Sequence, residues 1–135
     1  MAASRKRARR STTPKLVPAT AHELSRVGLL AELPGELLAK LAGRMEREQL
    51  PAGSPVLSEG DHDKRFYVLL SGLLTVSQAD LGARRMLRPG DYFGEVALAM
   101  DVPRTASVRA MTPVTVASCD QATFDEFLRP LFADD

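Results

Sequence analysis

The sequence predicts an α+β fold that is mainly β: an antiparallel β-roll, a jelly-roll-like barrel, with short helices before and after it. Three observations predict this. Apolar residues recur at helical spacing from about residue 21 to residue 48. From Leu50 to Cys119, short β-patterned runs alternate with Gly or Pro-Gly turns. One compact stretch of small residues, "EVALAM", interrupts the strands and reads as a short helix inside the roll. A chain of 135 residues, 44% hydrophobic and 26% charged, suits one domain with one core.

The net charge of +1 conceals an uneven distribution. Arg5, Lys6, Arg7, Arg9, Arg10 and Lys15 all precede the first acid, Glu23. The remainder carries twelve bases against seventeen acids, so it is a poor general binder of polyanions. Residues 1–20 read as a disordered basic arm and residues 21–135 as the folded domain. Contact with an anionic membrane surface, if any, falls to the arm, and no specific nucleic-acid recognition is expected. No apolar run approaches the ~20 residues that cross a bilayer as a helix. The N-terminus shows no apolar segment of a secretory signal. The single cysteine, Cys119, cannot form an internal disulfide and fits a reducing compartment. It reads as a small buried apolar residue, since neither His22 nor His62 is near it in sequence.

In chain order, "AHELSRVGLL" places Leu24, Val27 and Leu30 on one face of a short helix ending near Gly28 to Leu30. "LPGELLAKLAGRMERE" starts a second helix at Pro34, with Leu37, Leu38, Leu41 and Met45 as its apolar stripe. The strands expected next are "SPVLSE", "RFYVLLSG", "LLTVSQ", "RRMLRPG", "ASVRA" and "VTVASC". The chain closes on a helix capped by Asp120, with Phe124, Phe127, Leu128 and Leu131 at helical spacing. Pro130 is expected to kink or end it. Asp61, His62 and Asp63 read as solvated turn residues, and the aromatics of "RFYVLLSG" as core.

The chemistry concentrates in "FGEVALAMDVPRTASVRA", Phe93 to Ala110. Gly94 can adopt backbone angles closed to other residues or let a ligand approach the chain. The short helix after it exposes N–H groups at its start, which favour anions. Arg104 re-enters the sheet nearby, and its planar fork suits a phosphate. Glu95 is a carboxylate near the same anion site, which makes sense if it accepts from a hydroxyl. A 3′,5′-cyclic nucleotide offers one phosphate charge and one free 2′-OH. ATP fits worse, and its G-x-x-x-x-G-K-[ST] pattern is absent. From spacing alone, a surface ion pair between Glu95 and Arg104 competes with this explanation.

The segment resembles the phosphate-binding cassette of cyclic-nucleotide-binding domains, found in protein kinase A regulatory subunits, the catabolite activator protein and cyclic-nucleotide-gated channels. The pattern F-G-E-[LIV]-[AC]-L, a variable loop, then R-[TSA]-A-[ST]-V is met throughout. "GLLAELPGELLAKLA", "LPAGSPVLSEGD" and "FYVLLSGLLTV" are similar to the family's leading helices, first strands and central hairpin. The resemblance spans roughly Leu24 to Phe132. It implies that Glu95 accepts from the ribose 2′-OH, that Arg104 pairs with the cyclic phosphate, and that Gly94 lets the ribose approach. It further implies that the amides of Val96, Ala97 and Thr105 complete the cradle, and that Val76 packs on base or sugar. Thr105 makes cGMP acceptable, while cAMP is placed first. The family's lid helix is truncated or missing at "RPLFADD", so another segment or chain would supply it, or "RPLFADD" folds inward as a stub.

The resemblance implies a non-enzymatic sensor in the cytoplasm or at the cytosolic face of a membrane, without cofactor or metal beyond its ligand. Binding would move the flanking helices and regulate a channel, a transporter or another effector. The alternative is the ligand-sensing part of a catabolite-activator-type transcription regulator without its DNA-binding domain, since a helix-turn-helix would be needed after Asp135. A metalloenzyme on a cupin-like barrel would want more histidines than His22 and His62.

Overall fold

Thr20 opens the first helix of the computed structural model, which describes residues 17–132. The Thr20 hydroxyl accepts from the Glu23 amide, and the Glu23 carboxylate accepts from the Thr20 amide, both at 3.1 Å. This reciprocal cap satisfies two donors that a helix start leaves without partners. The helix, α1, spans Ala21–Leu24. Ahead of it, Val17–Pro18 forms a two-residue strand, β1, and the Ala19 amide donates to the Met45 carbonyl at 3.1 Å. Residues 17–20 therefore belong to the fold rather than to the arm expected to reach residue 20. The rest of that arm lies outside the described residues.

The one short helix expected before Pro34 is two, α1 and α2 (Gly28–Ala31), although Leu24, Val27 and Leu30 are all buried as the spacing required. The next helix, α3 (Gly35–Arg44), buries Leu38, Leu41 and Ala42, and Met45 follows just past its end. Those positions run i, i+3, i+4, i+7, a single face. Leu37, expected in the stripe, sits one residue off that face and is 39% exposed. The helix also stops earlier than its sequence suggests. Glu46–Leu50 is a strand, β2, although Glu, Arg and Gln favour helices. It pairs along its whole length with β9 (Val114–Asp120), and that tertiary pairing overrides local propensity.

The remaining strands are β3 (Pro55–Leu57), β4 (Arg65–Ser71), β5 (Leu74–Gln78), β6 (Gly82–Leu87), β7 (Tyr92–Phe93) and β8 (Ser107–Ala110). They form two antiparallel sheets in the orders β1-β2-β9-β4-β7 and β3-β8-β5-β6. The roll is thus two facing sheets, not a closed ring of strands. β7, unforeseen, pairs with β4 through Tyr67–Phe93 and Val68–Tyr92.

Two apolar clusters hold the molecule. One lies between the sheets and joins Tyr67, Leu69, Leu74, Leu87, Val108, Val114 and Val116. The other packs the helices on the outer face of the first sheet and joins Leu24, Leu41, Phe66, Val68, Ala117, Cys119, Phe124 and Leu128. β4 and β9 contribute to both, so alternate residues bury opposite faces and "FYVL" is apolar without a break.

The closing helix passes through Pro130. α5 (Gln121–Thr123) runs into a π turn (Phe124–Leu128) and then α6 (Arg129–Phe132). The Arg129 amide donates to the carbonyl of Phe124, five residues back. This wider turn shifts the carbonyls that a proline ring would meet in a regular helix, so Pro130 does not end the element. Phe132 packs against Phe66, Tyr92 and Phe124, so this part of "RPLFADD" folds inward. Among the described residues no helix is long and apolar enough to cross a membrane.

Candidate functional site

The short helix expected inside the roll is present as α4 (Glu95–Met100), between β7 and β8. Gly94 sits at its N-cap with φ 92°. A Cβ there would lie 2.8 Å from the Arg65 carbonyl oxygen and 3.1 Å from Arg104 Nη1. The position therefore needs glycine for its backbone angle and for its space. No side chain caps α4, which leaves the first amides of the helix, including Val96 and Ala97, without partners of that kind.

Arg104 is 3% exposed, deep for an arginine. Its Nε donates to Asp63 Oδ1 at 3.0 Å, and Nη2 donates to the same carboxylate oxygen. Nη2 also donates to the Arg65 carbonyl at 2.8 Å, and Nη1 donates to the Gly94 carbonyl at 3.0 Å. A guanidinium has five N–H groups. Four are committed to the protein, so one on Nη1 remains. The backbone is pinned as firmly: the Arg104 amide donates to the Asp61 carbonyl at 2.7 Å, and the Arg104 carbonyl accepts from the Gly60 amide at 2.8 Å. Asp63, expected to be a solvated turn residue, is instead the ion-pair partner of Arg104. The two stand 41 residues apart, and no local signal marks the pair.

Glu95 does not pair with Arg104. It is half-buried and has no hydrogen-bond or ion-pair partner among the described residues. The competing explanation, a surface pair between these two, therefore fails: the arginine is buried and bound elsewhere, and the acid is unpartnered. Both line one cleft of about 120 Å³, together with Val76, Gly94, Val96, Ala97 and Thr105, so all seven expected residues meet there. The cleft also takes Leu57, Arg85, Phe93, Ala106 and Val108, which sequence reasoning missed. Arg85 stands opposite Val76 on the neighbouring strand, a placement that only strand register reveals. Phe93 stacks on Tyr67 with ring centroids 5.0 Å apart, and a Cβ on Gly94 would lie 3.6 Å from Tyr67 Cδ1.

The loop carrying Thr105 is held from both sides. Gln78 Nε2 donates to the Thr105 carbonyl at 3.0 Å, and Ser107 Oγ accepts from the Glu59 amide at 2.9 Å. A larger cavity of about 430 Å³ lies by Glu23, Arg47, Ser71 and Thr115. Its Arg47 is paired with Glu23 at 2.9 Å, and none of the unpartnered groups of α4 faces it. The smaller cleft is thus the one that brings the buried Arg104 and the unpartnered Glu95 together.

Two other titratable groups serve the fold. Burial pushes the Cys119 thiol up to about 12, so it stays protonated at neutral pH. Asp120 Oδ1 accepts from the Thr123 amide at 2.9 Å, and this bond, with the Thr123 hydroxyl, holds its carboxyl below the usual carboxylate value. Among the described residues no group of three or more His, Cys, Asp or Glu is placed to hold a metal.

A two-sheet roll interrupted by a helix with glycine at its N-cap thus brings one buried arginine and one unpartnered glutamate into a single cleft, a pair of groups suited to a small ligand with one negative charge and one hydroxyl. The model of the cyclic nucleotide-binding domain matches residues 47–130, and the chain belongs to that family. Its curated relatives include the cAMP-dependent protein kinase regulatory subunit of Eremothecium gossypii, 42% identical over 108 residues. That alignment covers 80% of this chain and 24% of the relative. The corresponding subunit of Debaryomyces hansenii is 37% identical over 79% of this chain and 24% of its own length. The chain thus spans about a quarter of the curated relatives it matches. Among solved structures, one described as "cAMP bound PfPKA-R (141-441)" superposes with a TM-score of 0.78 at 28% identity, over 82% of this chain and 39% of that one. A second, "Sp-2Cl-cAMPS bound to PKAR CBD2", gives 0.75 at 28% identity, over 81% of this chain and 74% of that one.

Proposed function

We propose that the cleft binds a 3′,5′-cyclic nucleotide, cAMP first and cGMP second, and that binding regulates a protein kinase. The observation that carries this is the conjunction of one spare guanidinium N–H on Arg104 with the unpartnered carboxylate of Glu95 in one cleft. Arg104 takes the single phosphate charge. Val96, Ala97 and Thr105 add backbone N–H groups, and Gly94 keeps the chain low enough for the sugar to approach. Glu95 accepts from the ribose 2′-OH, a donor that compensates a half-buried carboxylate where a second anion would not. Val76 offers apolar surface to the base or sugar. A cleft of about 120 Å³ is smaller than the ~300–1,000 Å³ that encloses a drug-sized ligand. It therefore takes the sugar-phosphate end and leaves the base at the open mouth. The exposed Thr105 hydroxyl can serve the guanine amino group of cGMP there.

Kinase regulation is favoured over a channel, transporter or gene-regulatory effector because the matching relatives are kinase regulatory subunits. In this reading the chain has no catalysis of its own and works in the cytoplasm, where cyclic nucleotides are made and read. Calorimetric titration with cAMP and cGMP, on the wild type and on Glu95→Ala, tests the binding. Saturable heat that weakens in the variant supports it, and no heat from either nucleotide on the wild type overturns it.

A further inference from the structure

At the end of α4 away from Gly94, two cations close the helix. Lys64 Nζ donates to the carbonyls of Ala97 and Val102, both at 3.2 Å, and lies 3.3 Å from Asp101 Oδ1. Arg129 Nη2 donates to the Leu98 carbonyl at 3.0 Å, and Nη1 donates to the Ala99 carbonyl at 3.2 Å. The last carbonyls of a helix lack partners within it and carry partial negative charge, so cations are stabilising there.

The two cations come from different elements. Lys64 belongs to the loop that also supplies Asp63 to Arg104, so it is part of the cleft's own frame. Arg129 stands on the C-terminal helix, directly after the π turn, and is 30 residues from Ala99 along the chain. Its Nε and Nη2 also hold Asp125 Oδ1, at 2.9 and 2.7 Å, and its guanidinium lies 5.6 Å from the centre of the Phe124 ring. Those contacts are internal to the helix and fix the fork's direction. The bonds to Leu98 and Ala99 leave the helix and end on α4. The π turn matters for this: each residue of a regular helix advances about 100°. Removing the extra residue of the wide turn would rotate Arg129 by about that angle, off its present line to α4.

We propose that Arg129 is a positioning residue that ties the C-terminal helix to α4, so that movement of α4 on ligand binding is delivered to the C-terminal helix through its guanidinium. The inference rests on the cyclic-nucleotide reading of the cleft. α4 is six residues long, short enough to shift as one piece. Apolar contact between Leu98 and the cluster around Phe124 and Leu128 can slide, whereas a fork bonded to two successive carbonyls follows them.

Hydrogen exchange with and without saturating cAMP, read separately over residues 95–100 and 124–132, tests this on the full chain. In the wild type cAMP alters exchange in both segments. In Arg129→Gln, cAMP still binds, with a Kd within threefold of wild type, and still protects residues 95–100. The change over 124–132 falls at least threefold. Asp125→Asn neutralises the ion pair within the helix but keeps an acceptor oxygen that holds the fork's direction, so the carbonyl contacts and the coupled change are retained. Arg129→Lys, with a single-point donor, gives an intermediate value. An undiminished C-terminal response in Arg129→Gln overturns the inference, as does a wild type that binds cAMP with no response over 124–132. A wild type that does not bind cAMP sinks the binding reading, and this inference with it.

Discussion

Replacing Arg104 by lysine keeps the charge and removes the fork. The guanidinium spends four N–H groups on Asp63, Gly94 and Arg65 and has one left for a ligand. An ammonium has three donors radiating from one atom, so it cannot serve Asp63, both carbonyls and a phosphate together. If the ammonium of the variant stays with its protein partners, the phosphate loses a charge-assisted hydrogen bond of about 1.5–3 kcal/mol. At 1.4 kcal/mol per decade, Kd rises about 10- to 150-fold. If the ammonium turns to the phosphate, a buried carbonyl goes unpaired, at about 1–3 kcal/mol. Because the network is already engaged without ligand, stability of the free protein falls by a similar amount, within the ~5–15 kcal/mol of a typical domain. Calorimetric titration with cAMP reads the first effect and urea unfolding of the free protein the second. A Kd within threefold of wild type, together with an unchanged unfolding midpoint, would refute the assignment of Arg104 as both clamp and phosphate ligand.

Glu95→Gln keeps an acceptor oxygen and loses the charge, so cAMP binds about 5- to 12-fold more weakly, the difference between charged and neutral hydrogen bonds. Stability stays within about 0.5 kcal/mol, because Glu95 has no partner to lose; in Glu95→Ala, cAMP and 2′-deoxy-cAMP should bind alike in competition titrations. Gly94→Ala destabilises by more than the ~1–2 kcal/mol of a left-handed angle, since the added carbon crowds Arg65 and Arg104, and it weakens cAMP binding as well. Gly72→Ala places its carbon 2.3 Å from the Pro113 carbonyl oxygen and 2.7 Å from Val114 Cγ1, so it costs at least as much stability. Binding per folded molecule is unchanged there, and thermal unfolding paired with titration separates the two cases. Asp120→Ala costs about 1 kcal/mol at pH 7 through loss of the N-cap. The folded carboxyl titrates below its unfolded value, so its contribution is present above about pH 4 and fades as pH falls through the folded value. Unfolding curves of wild type and variant should therefore converge in acid.

The cleft was more legible in the sequence than the frame that holds it. Gly94, Glu95, Arg104 and Thr105 lie within a dozen residues, and chain connectivity keeps such groups close in any fold that turns there. The strands carried their own punctuation, as at Gly72, where the positive φ of 87° and the crowding by Pro113 leave room for glycine alone. β2 was hidden because "EREQL" favours a helix by itself and becomes a strand only beside β9. Leu37 was misplaced because two adjacent leucines fit one stripe on paper, and packing selects one. Pro130 stops a regular helix, and the π turn that admits it depends on how the element packs.

What the sequence alone determined was the inventory: a short glycine-led helix, one acid, one arginine, and a β-roll to carry them. These follow from periodicity and from residue types adjacent along the chain. Tertiary structure decided the partners: Asp63 on Arg104, Arg85 beside Val76, and Arg129 on the last carbonyls of α4. Each joins segments whose distance depends on strand register and helix packing, and those emerge only when the whole chain buries its apolar surface together.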